Sequence, residues 1–162
     1  MTEKKVPCIL LFNDIHVSND NIPEFKLNWN EALNICDKYD ISEIAIGGDL
    51  FQSRASQTLD VLLAVHDALL EAEKRQIEII IANGNHDKVN QEATYGYCHV
   101  FDQHKNVEVV DDCVIAEYPE FNLFVMAYFP ENGSFTERLQ NVIQNDLSNT
   151  KQNILYIHEG IN

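Results

Sequence analysis

The sequence predicts an α/β protein in which two packed mixed β-sheets are flanked by helices, and three observations carry that prediction. Short, nearly continuous apolar runs end in polar or glycine positions, as central parallel strands do. Helical periods separate the first of these runs. Beyond residue 105 the strand-like segments follow one another closely, which suggests a more antiparallel second sheet packed on the first. The chain has 162 residues and no internal repeat, low-complexity tract or Pro/Gly/Ser linker. Residues 1–162 therefore read as one domain, long enough for a core of its own.

Each element follows from its local pattern. "CILLFN" (8–13) is the first strand. Phe25, Trp29, Ala32, Leu33 and Cys36 then keep the i, i+4, i+7, i+8, i+11 series of a helix with one buried face. "EIAIGG" (43–48) is the second strand, and Leu59, Leu62, Leu63, His66 and Leu70 predict a second helix with that face inward. "IEIIIANG" (77–84) is the third strand. In the second half come "VEVVD", "CVIAEY", a turn at Pro119 and Glu120, and "FNLFVMAYF". "SFTERLQNVIQNDL" predicts a helix with Ser134 as N-cap and Glu137 completing a capping box. The last strand, "NILYIHEG", runs to His158.

Composition narrows the function classes. The apolar fraction of 45% is ordinary, and no apolar run approaches the roughly 20 residues that span a bilayer. The basic start "MTEKKVPCILLFNDIH" has neither the apolar length nor the small-residue site of a secretory signal. The expectation is a cytoplasmic protein with no membrane contact. Cys8, Cys36, Cys98 and Cys113 form no C-x-x-C pair and read as reduced, buried, small hydrophobes. A net charge of -15 argues against a protein that binds nucleic acid through its own basic patch. It is compatible with an enzyme whose cations are bound metals or whose basic surface belongs to a partner.

Ligands of open α/β sheets collect at the carboxyl ends of the strands, and four strands here end in metal-ligand residue types. The first ends "FNDIH", the second "GGDLF", the third "GNHD" and the last "IHEG". Asp14 and His16, two apart, point to one side if the chain there is extended, offering an oxygen and a nitrogen to one cation. Asp49 follows two glycines that permit close backbone approach, and its two oxygens can bridge two cations. Asn85 offers a carbonyl oxygen and His158 a nitrogen. A mixed O/N set without thiolates suits Mn²⁺, Fe or Zn²⁺ better than Ca²⁺. Each motif alone has a plainer reading: solvation or capping for Asp14 and His16, a helix-initiating turn for Asp49, and a strand-ending turn for "GNHD".

The ordered series D-x-H, G-D, G-N-H-D and strand-terminal His, from Asp14 to His158, resembles the calcineurin-like metallophosphoesterase superfamily. "GDLFQSR" (48–54) and "ILYIHEG" (154–160) most resemble the DNA exonuclease subunit of the Mre11/SbcD type, including its phage recombination relatives. The resemblance implies a four-layer α/β/β/α sandwich holding two divalent metal ions, most readily Mn²⁺. Asp14, His16 and Asp49 would hold one, and Asp49, Asn85 and His158 the other. It implies that the two cations together activate a hydroxide for in-line attack on phosphorus. His86 would stabilise or protonate the leaving oxygen, and Asp87 would orient the His86 ring or cap a helix. The implied activity is metal-dependent phosphodiester hydrolysis in DNA repair or recombination, with DNA as substrate and an SMC-like ATPase as partner subunit.

Two departures from the pattern stand out. Gln52 occupies a position where this nuclease group often carries His or Asp, which bears on whether exonuclease and endonuclease activities are both present. The superfamily's later G-H-x-H pair has no counterpart, so the expectation is a domain whose carboxyl-terminal part is missing, by truncation or by a split gene. His66, His99 and His104 stand at no strand end and are not recruited as substitutes. The strand at 154–157 would lack a neighbour on one side, an edge open to another chain, a second copy included. Two further readings keep the same residues: a phosphodiesterase or phosphatase for a small phosphoester, and a non-catalytic assembly domain with an incomplete metal centre.

Overall fold

Alternation along the isoleucine-rich strands sets the architecture. Ile44, Ile46, Ile79 and Ile81 point into a core shared with the helices, whereas Ala45, Ile80 and Ala82 point into a second core shared with another sheet. Both faces of these strands are thus dry, the condition under which parallel sheets occur. The computed structural model describes residues 9–130 and 132–159. Its first sheet is wholly parallel, in the order β1 (Leu10–Phe12), β2 (Glu43–Ile46), β3 (Glu78–Ala82) and β4 (Val107–Val110). Helices α1 (Ile22–Tyr39) and α2 (Leu59–Lys74) make the first two crossovers, and a short 3-10 turn (Tyr97–Phe101) lies in the third.

The second sheet is β5 (Cys113–Glu117), β6 (Phe121–Met126) and β7 (Gln152–Ile157) in that order. β6 runs antiparallel to β5 and parallel to β7, and the parallel return is made through α3 (Ser134–Asn145). Leu123, Val125, Ile154 and Tyr156 face the first sheet. Phe124 and Met126 point the other way and are also buried, which places the α3 layer, with its buried Val142, on the outer face. Two sheets with helices outside is the fold class the patterning predicts. No helix of the described residues is long and apolar enough to cross a membrane.

Three details differ from the sequence expectation. "VEVVD" belongs to the parallel sheet, not to the antiparallel half; the change of sheet comes at Asp111 and Asp112, between β4 and β5. The buried face of α2 is Val61, Ala64, Val65, Ala68, Leu69 and Ala72, while Leu59 and Leu63 are exposed. Its alanines let α2 lie close to α1, where the Trp29 indole N–H donates to the Ala68 carbonyl at 2.9 Å. Ser134 is the first helical residue of α3, capped by Gly133 at φ 91° with no side-chain capping bond. Cys36 and Cys98 are buried as expected, whereas Cys113 is only half-buried; Cys8 and Gly160 lie outside the described residues.

The order β5-β6-β7 leaves β7 at an edge. β7 is fixed across the sandwich by the Tyr156 hydroxyl, which donates to the Phe12 carbonyl of β1. That bond matters for the site, because His158 follows two residues later.

Candidate metal centre

The chain after β1 does not continue as a strand. Asp14 (φ 56°) and His16 (φ 51°) are both left-handed, and so is Asp49 (φ 53°) beyond β2. Such angles cost non-glycine residues about 1–3 kcal/mol each, so the surrounding structure must hold them. It does so by laying the two loops side by side: the N–H groups of Asp14, His16 and Val17 donate to the carbonyls of Gly48, Asp49 and Leu50 at 3.2, 3.0 and 2.8 Å. The expectation that an extended D-x-H segment aims both side chains is therefore corrected. They are aimed by a strained loop clamped to its neighbour.

Asp49 lies at the centre, 3% exposed. Its Oδ1 accepts from the backbone N–H of His86 at 2.8 Å. Its Oδ2 lies 3.7 Å from His16 Nε2 and 3.3 Å from His158 Nε2, and His16 Nε2 is 3.6 Å from Asp14 Oδ1. Bonds of about 2.1 Å to one ion put neighbouring O and N ligands about 3 Å apart, so these spacings are close to those of a coordination shell. Two groups of donors converge: His16, Asp49 and His86, and Asp14, Asp49 and His158, the atoms of each within 4.8 Å of one another. Asp49 is common to both.

Glycines make the convergence possible. A Cβ on Gly84 would collide with the backbone and carboxylate of Asp49. Gly48 has φ +137°, and a Cβ there would stand 2.7 Å from His158 Cγ.

The amide of Asn85 gives a test of whether the donors fit a cation. One terminal atom of this amide lies 3.0 Å from His158 Nε2 and 3.2 and 3.3 Å from the two Asp49 oxygens, while the other meets the guanidinium of Arg54. With the NH₂ toward Asp49, the oxygen accepts from Arg54; with the oxygen inward, it lies 3.0 Å from His158 Nε2. An oxygen turned inward would face carboxylate oxygens, an arrangement that a cation between them makes favourable. The imidazole of His16 faces Asp14 and Asp49 through Nε2, and its buried Nδ1 has no hydrogen-bond partner among the described residues. The donor set, carboxylate and imidazole with one amide oxygen and no thiolate, suits a divalent metal ion.

His86 stands edge-on to His16, ring centroids 5.0 Å apart. Its Nδ1 lies 2.7 Å from the Gln52 carbonyl, so Nδ1 carries a proton and donates to that carbonyl, and Nε2 is the other ring nitrogen. Sequence reasoning had no signal for this bond, since it uses a backbone atom of Gln52. The structure also brings His86 within ligand reach of His16 and Asp49, a grouping that differs from the pairing of Asp14 and His16 with Asp49.

Asp87 turns away. Its carboxylate is fully buried and accepts from the N–H groups of Phe51 (2.8 Å), Leu50 (3.2 Å) and Gly84 (2.8 Å). No helix starts there, and the His86 ring is oriented by Gln52, so neither role expected of Asp87 is the one its contacts show. It ties the loop after β2 to the loop after β3. Burial pushes its carboxyl above the usual carboxylate range, against those backbone bonds.

Burial also pushes the Asp49 carboxyl up, but the bonds from His158 and the His86 N–H outweigh it and leave the group below the usual range. The hydrogen bond to Asp49 raises His158 above the ordinary imidazole value, against desolvation. The remaining histidines lie in other contacts: His66 Nδ1 is 2.9 Å from His104 Nε2, and His99 Nδ1 is 3.4 Å from Asp111 Oδ2.

No family model matches the sequence, and no curated protein does. Among solved structures the chain is similar to a nuclease, MPE, of Pseudomonas putida, with TM-score 0.47 and 22% identity over 71% of this chain and 52% of that one. It is also similar to a dimetal phosphatase of Danio rerio, with TM-score 0.45 and 13% identity over 87% of this chain and 52% of that one. The chain spans about half the length of each of these two proteins.

Proposed function

We propose that this chain carries a two-cation centre for hydrolysis of phosphodiesters, with DNA as the substrate class. The observation that carries the reading is the position of Asp49, a buried carboxylate shared by two converging donor groups. Asp14, His16 and Asp49 would hold one cation, and Asp49, Asn85 and His158 the other, with Mn²⁺ favoured by the mixed O/N set. Two bound divalent cations supply a nucleophilic hydroxide near neutral pH and stabilise charge on the phosphoryl oxygens.

The chain's own residues do the rest. Asp49 holds the two groups in register, and the Asp87 clamp fixes the loops on which Asp49 and Asn85 stand. The Gln52 carbonyl holds the Nδ1 proton of His86, so Nε2 is the atom that exchanges a proton with the leaving oxygen. A partner that supplies positive surface, such as an SMC-like ATPase, would answer the charge of -15 that the chain presents to a polyanion. The same charge favours a second reading, a small phosphoester as substrate, because a small anion reaching two cations meets less of the acidic surface.

The test is Mn²⁺-dependent hydrolysis of linear DNA and of a small phosphodiester by this chain and by His86→Ala. Cleavage of DNA that is lost in the variant and falls steeply with salt supports the DNA reading. Turnover of the small diester alone supports the second.

A further inference from the structure

Arg54 lies in the loop between β2 and α2, outside every role assigned above. Its backbone is anchored: the Tyr97 hydroxyl donates to the Arg54 carbonyl at 2.8 Å, and two residues earlier the Gln52 carbonyl is held by His86. Its side chain is exposed, yet the guanidinium meets the outer end of the Asn85 amide. Lys88, the cation on the neighbouring loop, is 5% exposed and interacts electrostatically with Asp111.

The two ends of the Asn85 amide make opposite demands. When the carbonyl oxygen faces outward it accepts from Arg54, and the NH₂ donates to Asp49. When the oxygen turns inward to a cation, the NH₂ comes to face the guanidinium, donor against donor. Arg54 must then let go. Its backbone stays tied to Tyr97, so the freed fork of donors remains at the rim of the centre.

We propose that Arg54 and the metal compete for the Asn85 carbonyl oxygen, and that metal loading releases the Arg54 guanidinium to bind a non-bridging oxygen of the substrate phosphate. The proposal rests on the metal-centre reading above and adds the order of events to it: the phosphate-binding arm becomes available when the centre is filled. A guanidinium suits the task because its planar fork matches two phosphate oxygens, which an ammonium does not. In a chain of charge -15, an arm withheld until the cations are in place also keeps the empty centre from holding a phosphate it cannot process.

The test is calorimetric titration of Mn²⁺, and then of methylphosphonate as a non-hydrolysable phosphate mimic, into the wild-type chain, Arg54→Ala and Arg54→Lys. Arg54→Ala is expected to bind Mn²⁺ about fivefold more tightly, the loss of one competing hydrogen bond. The Mn²⁺-loaded variant is expected to bind methylphosphonate about tenfold more weakly, as the loss of one charge-assisted contact predicts. Arg54→Lys, which keeps the charge and loses the fork, falls between. Unchanged methylphosphonate affinity in loaded Arg54→Ala, or weaker Mn²⁺ binding by that variant, would overturn the proposal and leave the metal centre standing. Absence of Mn²⁺ binding by the wild-type chain would overturn both.

Discussion

Asp49 and His158 meet from different sheets, Oδ2 to Nε2 at 3.3 Å. One follows β2 of the parallel sheet and the other follows β7 of the mixed sheet, so the donor group of Asp14, Asp49 and His158 exists only when the two sheets are packed in register. Tyr156 sets that register through its bond to the Phe12 carbonyl, while Glu159, accepting from the Phe129 N–H at 2.9 Å, ties the end of β7 to the segment after β6 within its own sheet. The packing of the two sheets and the assembly of that donor group are therefore one event.

Binding of Mn²⁺ should strengthen with pH. The Asp49 bond raises His158 above its usual value, and a proton on this imidazole competes with a cation. In the metal-free protein the signs are opposite for the two partners. Stability contributed by His158 is full below its unfolded pKa and is lost as pH rises through its raised folded value. Stability from Asp49, whose carboxyl is lowered on balance, is present above its unfolded pKa and is lost as pH falls through the lowered folded value. Thermal unfolding with and without Mn²⁺ across mildly acidic to mildly alkaline pH should show the metal-induced rise in Tm growing with pH; a constant rise would count against His158 as a ligand.

Asp87→Ala should destabilise the protein without touching a ligand. Three backbone N–H groups lose their acceptor, at about 1–3 kcal/mol for each buried donor left unpaired. A loss of about 3 kcal/mol in urea denaturation is expected, or about 6–12 °C in Tm for a domain of this size. A loss confined to turnover, with stability intact, would return Asp87 to the catalytic machinery.

Gly48→Ala should break the centre at His158. The new Cβ meets the imidazole at 2.7 Å and sits on a residue with φ +137°, a strain of about 1–3 kcal/mol. Loss of one bound Mn²⁺ per chain, counted by equilibrium dialysis, is the expected result, and full retention of Mn²⁺ would contradict the placement of His158.

His86→Ala should abolish turnover and leave the number of bound Mn²⁺ ions unchanged. The ring lies within ligand reach of His16 and Asp49, so the count of ions in the variant decides its role. A drop by one ion would make His86 a ligand.

The layout of this fold was readable because its strands are short apolar runs, and the candidate residues that the structure brings together were readable because those strands end in Asp, His and Asn. What the sequence concealed has physical reasons. Leucine outweighs alanine in an amphipathic reading, yet the buried stripe of α2 is built on Ala64, Ala68 and Ala72, where small side chains permit close approach. β4 reads like an antiparallel strand because it stands two residues from β5, but the pairing partner of a strand is not written in its own residues. The left-handed angles of Asp14, His16 and Asp49 carry no glycine to announce them. The Asp87 clamp and the Gln52 contact to His86 use backbone atoms, which every residue has.

The most direct test of the central claim is the Mn²⁺ stoichiometry of the wild-type chain and of Asp49→Asn, measured side by side by equilibrium dialysis. A carboxylate shared by two donor groups predicts two ions per wild-type chain and affinity reduced about 100-fold at both sites in Asp49→Asn, about 3 kcal/mol for each. Loss at a single site would contradict the shared carboxylate, and a wild-type chain that binds no Mn²⁺ would contradict the centre itself.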